Sequence, residues 1–224
     1  DVQILQMCQW AKEYSVSLEC ACAGNDFTSA DVEAQIAMVS KVLIIASKLE
    51  SKRIRIFAGF ASDSEMDAQR REVMLDALQH VVDAARSLGI IVAVETHGGV
   101  APVEGKVVRH FASYTTRADN WGRLFATGAY MLFDPANLDA AGQIAPELFY
   151  QKFADRVGIV HLKDFRHTEN GVIPVACGEG GLDWHALHNA MANYEGPALI
   201  EYEDPDDVED GFRRSLEFLK REGF

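Results

Sequence analysis

Four residues in this chain have the chemistry to hold a cation and move a proton: Glu95 in "AVETHGG", Asp134 in "LFDPAN", His161 in "VHLKD" and Glu201 in "LIEYEDP". Three carboxylates and an imidazole offer oxygen and nitrogen donors. Crowded on one face with nothing between them, the carboxylates would repel, and a divalent cation relieves that repulsion. The oxygen majority favours Mn²⁺ or Mg²⁺, with Co²⁺ and Zn²⁺ also suited to the set. Singly, each residue has a plainer explanation. An Asp before Pro is a common turn residue, and a strand His is often a satisfied core group. Their spacing argues for more: the separations are 39, 27 and 40 residues, each about one βα unit.

That spacing has meaning only if the elements between the four residues are strands and helices in alternation. Short apolar runs suggest strands at Ser15–Ala23, Arg53–Phe60, Ile90–Glu95, from Tyr130, at Ile159–Phe165 and at Pro197–Pro205, with a weaker one near Val172. Helical patterns fill the intervals. They cover Asp1–Tyr14, a segment capped by Ser29, Ser64–Leu88 closed by Gly89, a region after Gly99 ending near Thr127, "PELFYQKFADRVG", "LDWHALHNAMANYEG" and Val208–Glu222. Strands alternating with helices of ten or more residues indicate parallel βαβ units. In such folds each unit returns the chain to the same edge, so all four residues would gather at the C-terminal ends of the strands.

No Pro-, Gly- or Ser-rich linker divides the chain, so residues 1–224 read as a single domain. The fold class expected is α/β, a TIM (β/α)8-type barrel. Six clear strands fall short of eight, and the chain starts inside a helical pattern. One or two βα units, on the order of 50 to 60 residues, are therefore expected before Asp1.

Composition narrows the function. Hydrophobic residues make up 48% and charged residues 25%, enough for a sizeable core. A net charge of −13 argues against a nucleic-acid partner. No apolar run reaches the ~18 residues of a membrane span. Cys8, Cys20, Cys22 and Cys177 form no CxxC pair, which points to reduced thiols and a cytoplasmic protein. The expected partner is a small-molecule carbohydrate, and a homo-oligomer is compatible with the composition.

In this order, "ETHGG", "DPAN", "HLKD", "GEGGLDW" and "IEYE" resemble the sugar phosphate isomerase/epimerase family, which has the xylose isomerase-like TIM barrel. The likeness runs from about Arg53 to the end of the chain. It implies that Glu95, Asp134, His161 and Glu201 are metal ligands and that Glu95 and Glu201 are also an acid/base pair on opposite sides of the substrate. The expected activity is metal-dependent isomerisation or epimerisation of a small sugar, sugar phosphate or polyol through an enediolate. The alternatives are an inosose dehydratase-like lyase and a non-catalytic sugar- or metal-binding protein. Two positions depart from the ketose 3-epimerases of the family. Asn137 stands where they have His three residues after the Asp ligand, and His167 where they have Arg six residues after the His ligand, with Arg166 adjacent.

Further substrate-binding candidates are His97, on the same strand face as Glu95, and Lys163, which alternates onto the site face. Arg166, His167 and Glu179 complete the set, the last in the tight "GEGG" turn. That turn could also cradle a phosphate, although no Lys-Ser/Thr follows it. Trp184 is expected to face the core.

Overall fold

β-branched and apolar runs become the strands of a parallel sheet, and amphipathic segments return the chain between them. The computed structural model describes residues 2–142 and 144–224. In chain order the first half contains α1 (Val2–Glu13), β1 (Cys20–Cys22), α2 (Val32–Lys48), β2 (Arg53–Ile56), α3 (Ala68–Ser87), β3 (Ile91–Glu95), β4 (Gly99–Glu104), β5 (Val107–Phe111) and α4 (Trp121–Ala126). The second half contains β6 (Tyr130–Phe133), α5 (Pro135–Ala140), α6 (Pro146–Phe153), β7 (Val157–Leu162), β8 (Asp164–His167), β9 (Val172–Val175), α7 (Trp184–Ala190), β10 (Ala198–Ile200) and α8 (Val208–Glu222).

Six strands form one parallel sheet in the order β1-β2-β3-β6-β7-β10. Alternation sorts its two faces. Ile54, Ile56, Val92, Val94, Met131, Phe133, Val160 and Leu162 point outward into the main core beneath the helices. Ala93, Leu132 and Ile159 point inward and meet Cys20 and Leu199 in a smaller cluster. The sheet curls as a partial TIM barrel. Among the described residues its edge strands β1 and β10 do not pair, so it is not a closed eight-stranded barrel. No described helix is long and apolar enough to cross a membrane.

Five expectations change. The first strand is only Cys20–Cys22, because the polar run from Ser15 has no partner strand. Asp31 caps α2 in place of Ser29, its side chain accepting from the Ala34 amide at 3.1 Å. Asp67 caps α3 at Ala68, so that helix starts four residues after Ser64.

The largest change lies between Gly99 and Phe111, where the helical reading gives way to a hairpin. The valines at 100, 103, 107 and 108 flank an Glu-Gly-Lys turn whose Gly105 has φ 58°, a left-handed conformation that glycine adopts freely. The run Ile159–Phe165 also divides. β7 ends at Leu162, and β8 turns away to pair antiparallel with β9. The two hairpins join at Val108 and Val172 in a second sheet, β4-β5-β9-β8.

Candidate active site

Each of the four donors sits where a parallel strand ends. Glu95 is the last residue of β3, and His161 lies on β7. Glu201 follows β10, and its amide donates to the Leu162 carbonyl at 3.1 Å, which continues the pairing with β7 one residue further. Asp134 caps α5: its Oδ1 accepts from the Asn137 amide at 2.9 Å, and Pro135 supplies the helical φ at the first position. Thr96 fixes the Asp134 backbone, its hydroxyl accepting from the Asp134 amide at 2.8 Å and donating to its carbonyl at 3.2 Å.

One donor atom from each of the four lies within 4.8 Å of the others. His161 Nδ1 stands 3.1 Å from Glu201 Oε2, 3.7 Å from Asp134 Oδ2 and 3.9 Å from Glu95 Oε1. Glu95, Asp134 and His161 are buried, while the Glu201 side chain is 28% exposed.

Two cations flank the tetrad. The Lys163 ammonium donates to Glu201 and Glu203, both at 3.0 Å, and lies 3.5 Å from Asp134 Oδ2. On the other side, Arg55 Nε faces Glu95 Oε2 at 3.1 Å. Its guanidinium also donates to the Ala23 carbonyl at 3.1 Å and rests over the Phe57 ring. Asn137 Nδ2 donates to the other oxygen of Glu95 at 3.0 Å.

These neighbours move the titrations apart. Burial pushes Glu95 up to about 7, opposed by the charges of His161, Lys163 and Arg55. Burial also opposes ionisation of Glu201, but His161 and Lys163 outweigh it and hold that carboxyl well below its ordinary range. For His161, burial disfavours the cation; bonds to Asp134 and Glu201 and the charge of Glu95 outweigh it and raise the imidazole to about 10. Buried Lys163 stays charged because Asp134, Glu203, Glu201 and Glu95 surround it.

The donor set suits a divalent cation. Asp134 Oδ2, Glu95 Oε2 and His161 Nδ1 are all buried, facing charged neighbours but making no well-directed hydrogen bond to them. Buried polar atoms left in that state are costly, and a metal ion satisfies oxygen and nitrogen donors together.

The other candidate residues divide. Asn137 and Lys163 touch the tetrad directly. His97 lies beside it: its ring packs on Phe57 and Phe60, its Nδ1 is turned onto the Gly98 carbonyl, and burial with the nearby Lys163 charge depresses it to about 4. Arg166, His167 and Glu179 make their polar contacts elsewhere. Arg166 donates to the Glu179 carbonyl, His167 pairs with Asp139 at 2.6 Å, and Glu179 accepts from Arg214 at 2.8 Å.

The "GEGG" amides are also spoken for. Asp164 Oδ2 accepts from Gly178 at 3.0 Å, Gly180 at 3.1 Å and the Trp184 indole at 2.9 Å. The turn thus wraps a carboxylate of its own chain, which corrects the phosphate-cradle alternative. Trp184 is buried in the core, as expected. Arg55 is the contact that sequence reading passed over. Its signal is the alternation in "RIRI": with Ile54 and Ile56 facing the helices, Arg55 must face the barrel interior.

The family described as the xylose isomerase-like TIM barrel matches residues 2–222. The chain belongs to that family. No curated protein matches it. Among solved members of this fold, it is similar to a xylose isomerase domain protein from Planctomyces limnophilus, at 20% identity and a TM-score of 0.78, over 98% of this chain and 82% of the other. A probable 3-DHS dehydratase from Bacillus anthracis aligns at 15% identity and a TM-score of 0.78, over 98% and 81%. A D-allulose 3-epimerase from Methylomonas sp., solved with D-allulose, aligns at 17% identity and a TM-score of 0.76, again over 98% and 81%. At these identities the likeness establishes the family fold, and chemistry has to be argued from the site.

Proposed function

We propose that this chain is a divalent-metal-dependent isomerase or epimerase of a small sugar, sugar phosphate or related polyol. The observation that carries the reading is the placement of two glutamates, Glu95 and Glu201, on opposite flanks of one buried donor cluster. Binding alone does not require a carboxylate on each flank; proton transfer at opposite faces of a substrate does.

Glu95, Asp134, His161 and Glu201 would hold the ion, with Mn²⁺ or Mg²⁺ best matched to three oxygens and one nitrogen. When bound, the ion would supply Lewis-acid stabilisation of the oxygen charge that develops as a proton leaves the carbon beside a carbonyl. Glu201, the more exposed of the pair, would accept the substrate proton, and Glu95, on the opposite flank, would return one. Lys163 places a fixed positive charge 3.0 Å from Glu201, within reach of the same developing oxyanion. Asn137 and Arg55 keep the Glu95 carboxylate from rotating.

A dehydratase is the second reading. Lys163 favours it, because a buried ammonium beside the base could protonate a departing hydroxyl. A metal-supplemented screen of ketoses, aldoses and inososes, followed by proton NMR in deuterium oxide, separates the readings. Isomerisation gives a new sugar with deuterium at carbon, and dehydration gives a product lacking a hydroxyl. No deuterium uptake and no product from any of them would overturn both.

A further inference from the structure

The hairpin β4–β5 spans the site. It leaves β3 just past Glu95, and its tip reaches the segment just past Glu203. There the Lys106 ammonium donates to Asp204 at 2.6 and 2.8 Å and pairs with Asp206 at 2.9 Å. In the sheet, β3 and β10 are separated by β6 and β7. Three strand spacings amount to roughly 14 Å, and a six-residue strand reaches roughly 20 Å, so the hairpin is long enough for the crossing. The strand ends it passes are those carrying Glu95, Asp134, His161 and Glu201.

Its two sides differ. Val108 and His110 lie on one face of β5. Val108 packs with Ala136 and Phe165, and the His110 ring lies 5.1 Å from Phe165 and 6.0 Å from His97. The Phe165 ring in turn carries the Lys163 ammonium at 5.2 Å. Arg109 and Phe111, on the other face, are exposed. His110 Nδ1 is buried with no hydrogen-bond partner, on the face turned toward the tetrad.

The hairpin is held lightly. It shares one residue pair with β9, at Val108 and Val172, and Arg109 donates to the Asn170 carbonyl at 3.2 and 3.3 Å. Lys106 is half exposed, and exposed ion pairs are weak and screened by salt.

We propose that the β4–β5 hairpin is a strap across the mouth of the tetrad, latched by Lys106 on Asp204 and Asp206, which presents His110 to a hydroxyl of the bound polyol. The latch stands on geometry alone; the role of His110 rests on the function proposed above.

The two parts separate in experiment. Hydrogen–deuterium exchange on the metal-free protein reads the strap. Lys106→Glu should speed amide exchange in residues 99–111 on the order of tenfold, and adding Asp204→Lys should restore it. Equal exchange in wild type and Lys106→Glu overturns the latch. Saturation-transfer NMR of the metal-loaded protein with xylitol and with myo-inositol reads His110. His110→Phe keeps the ring against Phe165 and removes both nitrogens. It should weaken polyol binding about tenfold, the worth of one good hydrogen bond, with metal affinity by calorimetry unchanged and partial recovery in His110→Gln. Unchanged polyol binding in His110→Phe, or no binding of either polyol by wild type, overturns the His110 contact. Failure of the metal-site reading shows separately, as calorimetric metal uptake that Glu95→Gln and Asp134→Ala do not alter.

Discussion

The two flanks of the donor cluster are built from the same residue type in opposite surroundings. On the β3 flank, Glu95 is 2% exposed, ends a strand with a neighbour on each side and has both oxygens met by side chains of neighbouring elements. On the β10 flank, Glu201 is 28% exposed, lies past the strand end and shares Lys163 with Glu203. Burial dominates the first and raises its carboxyl; His161 and Lys163 dominate the second and lower it. In the metal-free protein the two carboxyls therefore titrate far apart, although they belong to one cluster.

The largest expected effect tests that division. Glu95→Gln and Glu201→Gln should each lower kcat by roughly 10²–10⁴-fold, the usual worth of a positioned acid or base. If the flanks act in sequence, Glu95→Gln should still exchange the substrate C–H with deuterium while turnover stalls, and Glu201→Gln should not. Normal kcat in metal-bound Glu201→Gln would transfer its role to Glu203.

Next come the cations. Lys163→Met leaves Asp134, Glu201 and Glu203 without their shared partner, and the metal-free protein should lose about 3–5 kcal/mol in urea unfolding. Arg55→Met should cost less, about 1–3 kcal/mol, because Glu95 can take a proton when its partner leaves. Equal losses would mean that the flanks do not differ as described.

A pH series sharpens the contrast further. His161 is raised from 6.5 to about 10 in the folded metal-free protein, so its stabilising contribution is complete below about 6.5 and disappears as pH rises through about 10. Glu95, raised from 4.5 to about 7, likewise contributes below 4.5 and loses that contribution as pH rises through about 7. Below about pH 6.5 the buried His97 and His110, both depressed to about 4, act in the opposite sense, so the metal-free melting temperature should fall between about pH 7 and 10. Metal uptake at neutral pH should release protons, measurable by calorimetry in buffers of different ionisation enthalpy. A melting temperature that rises over that range would contradict the His161 assignment.

The smallest effect is expected at Glu203. Its side chain is 41% exposed, and Lys163 keeps two other carboxylates when it is lost. Glu203→Gln should change stability by about 0–1 kcal/mol and leave kcat within a few-fold.

The tetrad was legible because each donor follows an apolar run and one βα unit separates each from the next. Periodicity and spacing report elements repeated by a regular architecture. The strap was not legible for the same reason: β4 and β5 interrupt the alternation, and their valines pair with a hairpin that departs from β7, a partner over sixty residues away. Arg166, His167 and Glu179 show another limit. Proximity in sequence to His161 points toward the site, whereas β8 turns out of the parallel sheet at Asp164 and carries Arg166 and His167 to other partners. Arg55 required knowing which face of "RIRI" looked inward, and that follows once the isoleucines are assigned to the helix-facing core.

Asp134 divides its two oxygens between two duties, Oδ1 to the Asn137 amide and Oδ2 to the cluster. Asparagine would preserve the first and surrender the anionic donor; glutamate would preserve the charge but reach past the helix start. No other side chain supplies a short acceptor and a negative charge from one position. In a mutational scan scored for metal-dependent activity, position 134 should therefore tolerate no alternative, whereas its neighbours in α5 retain substitutes.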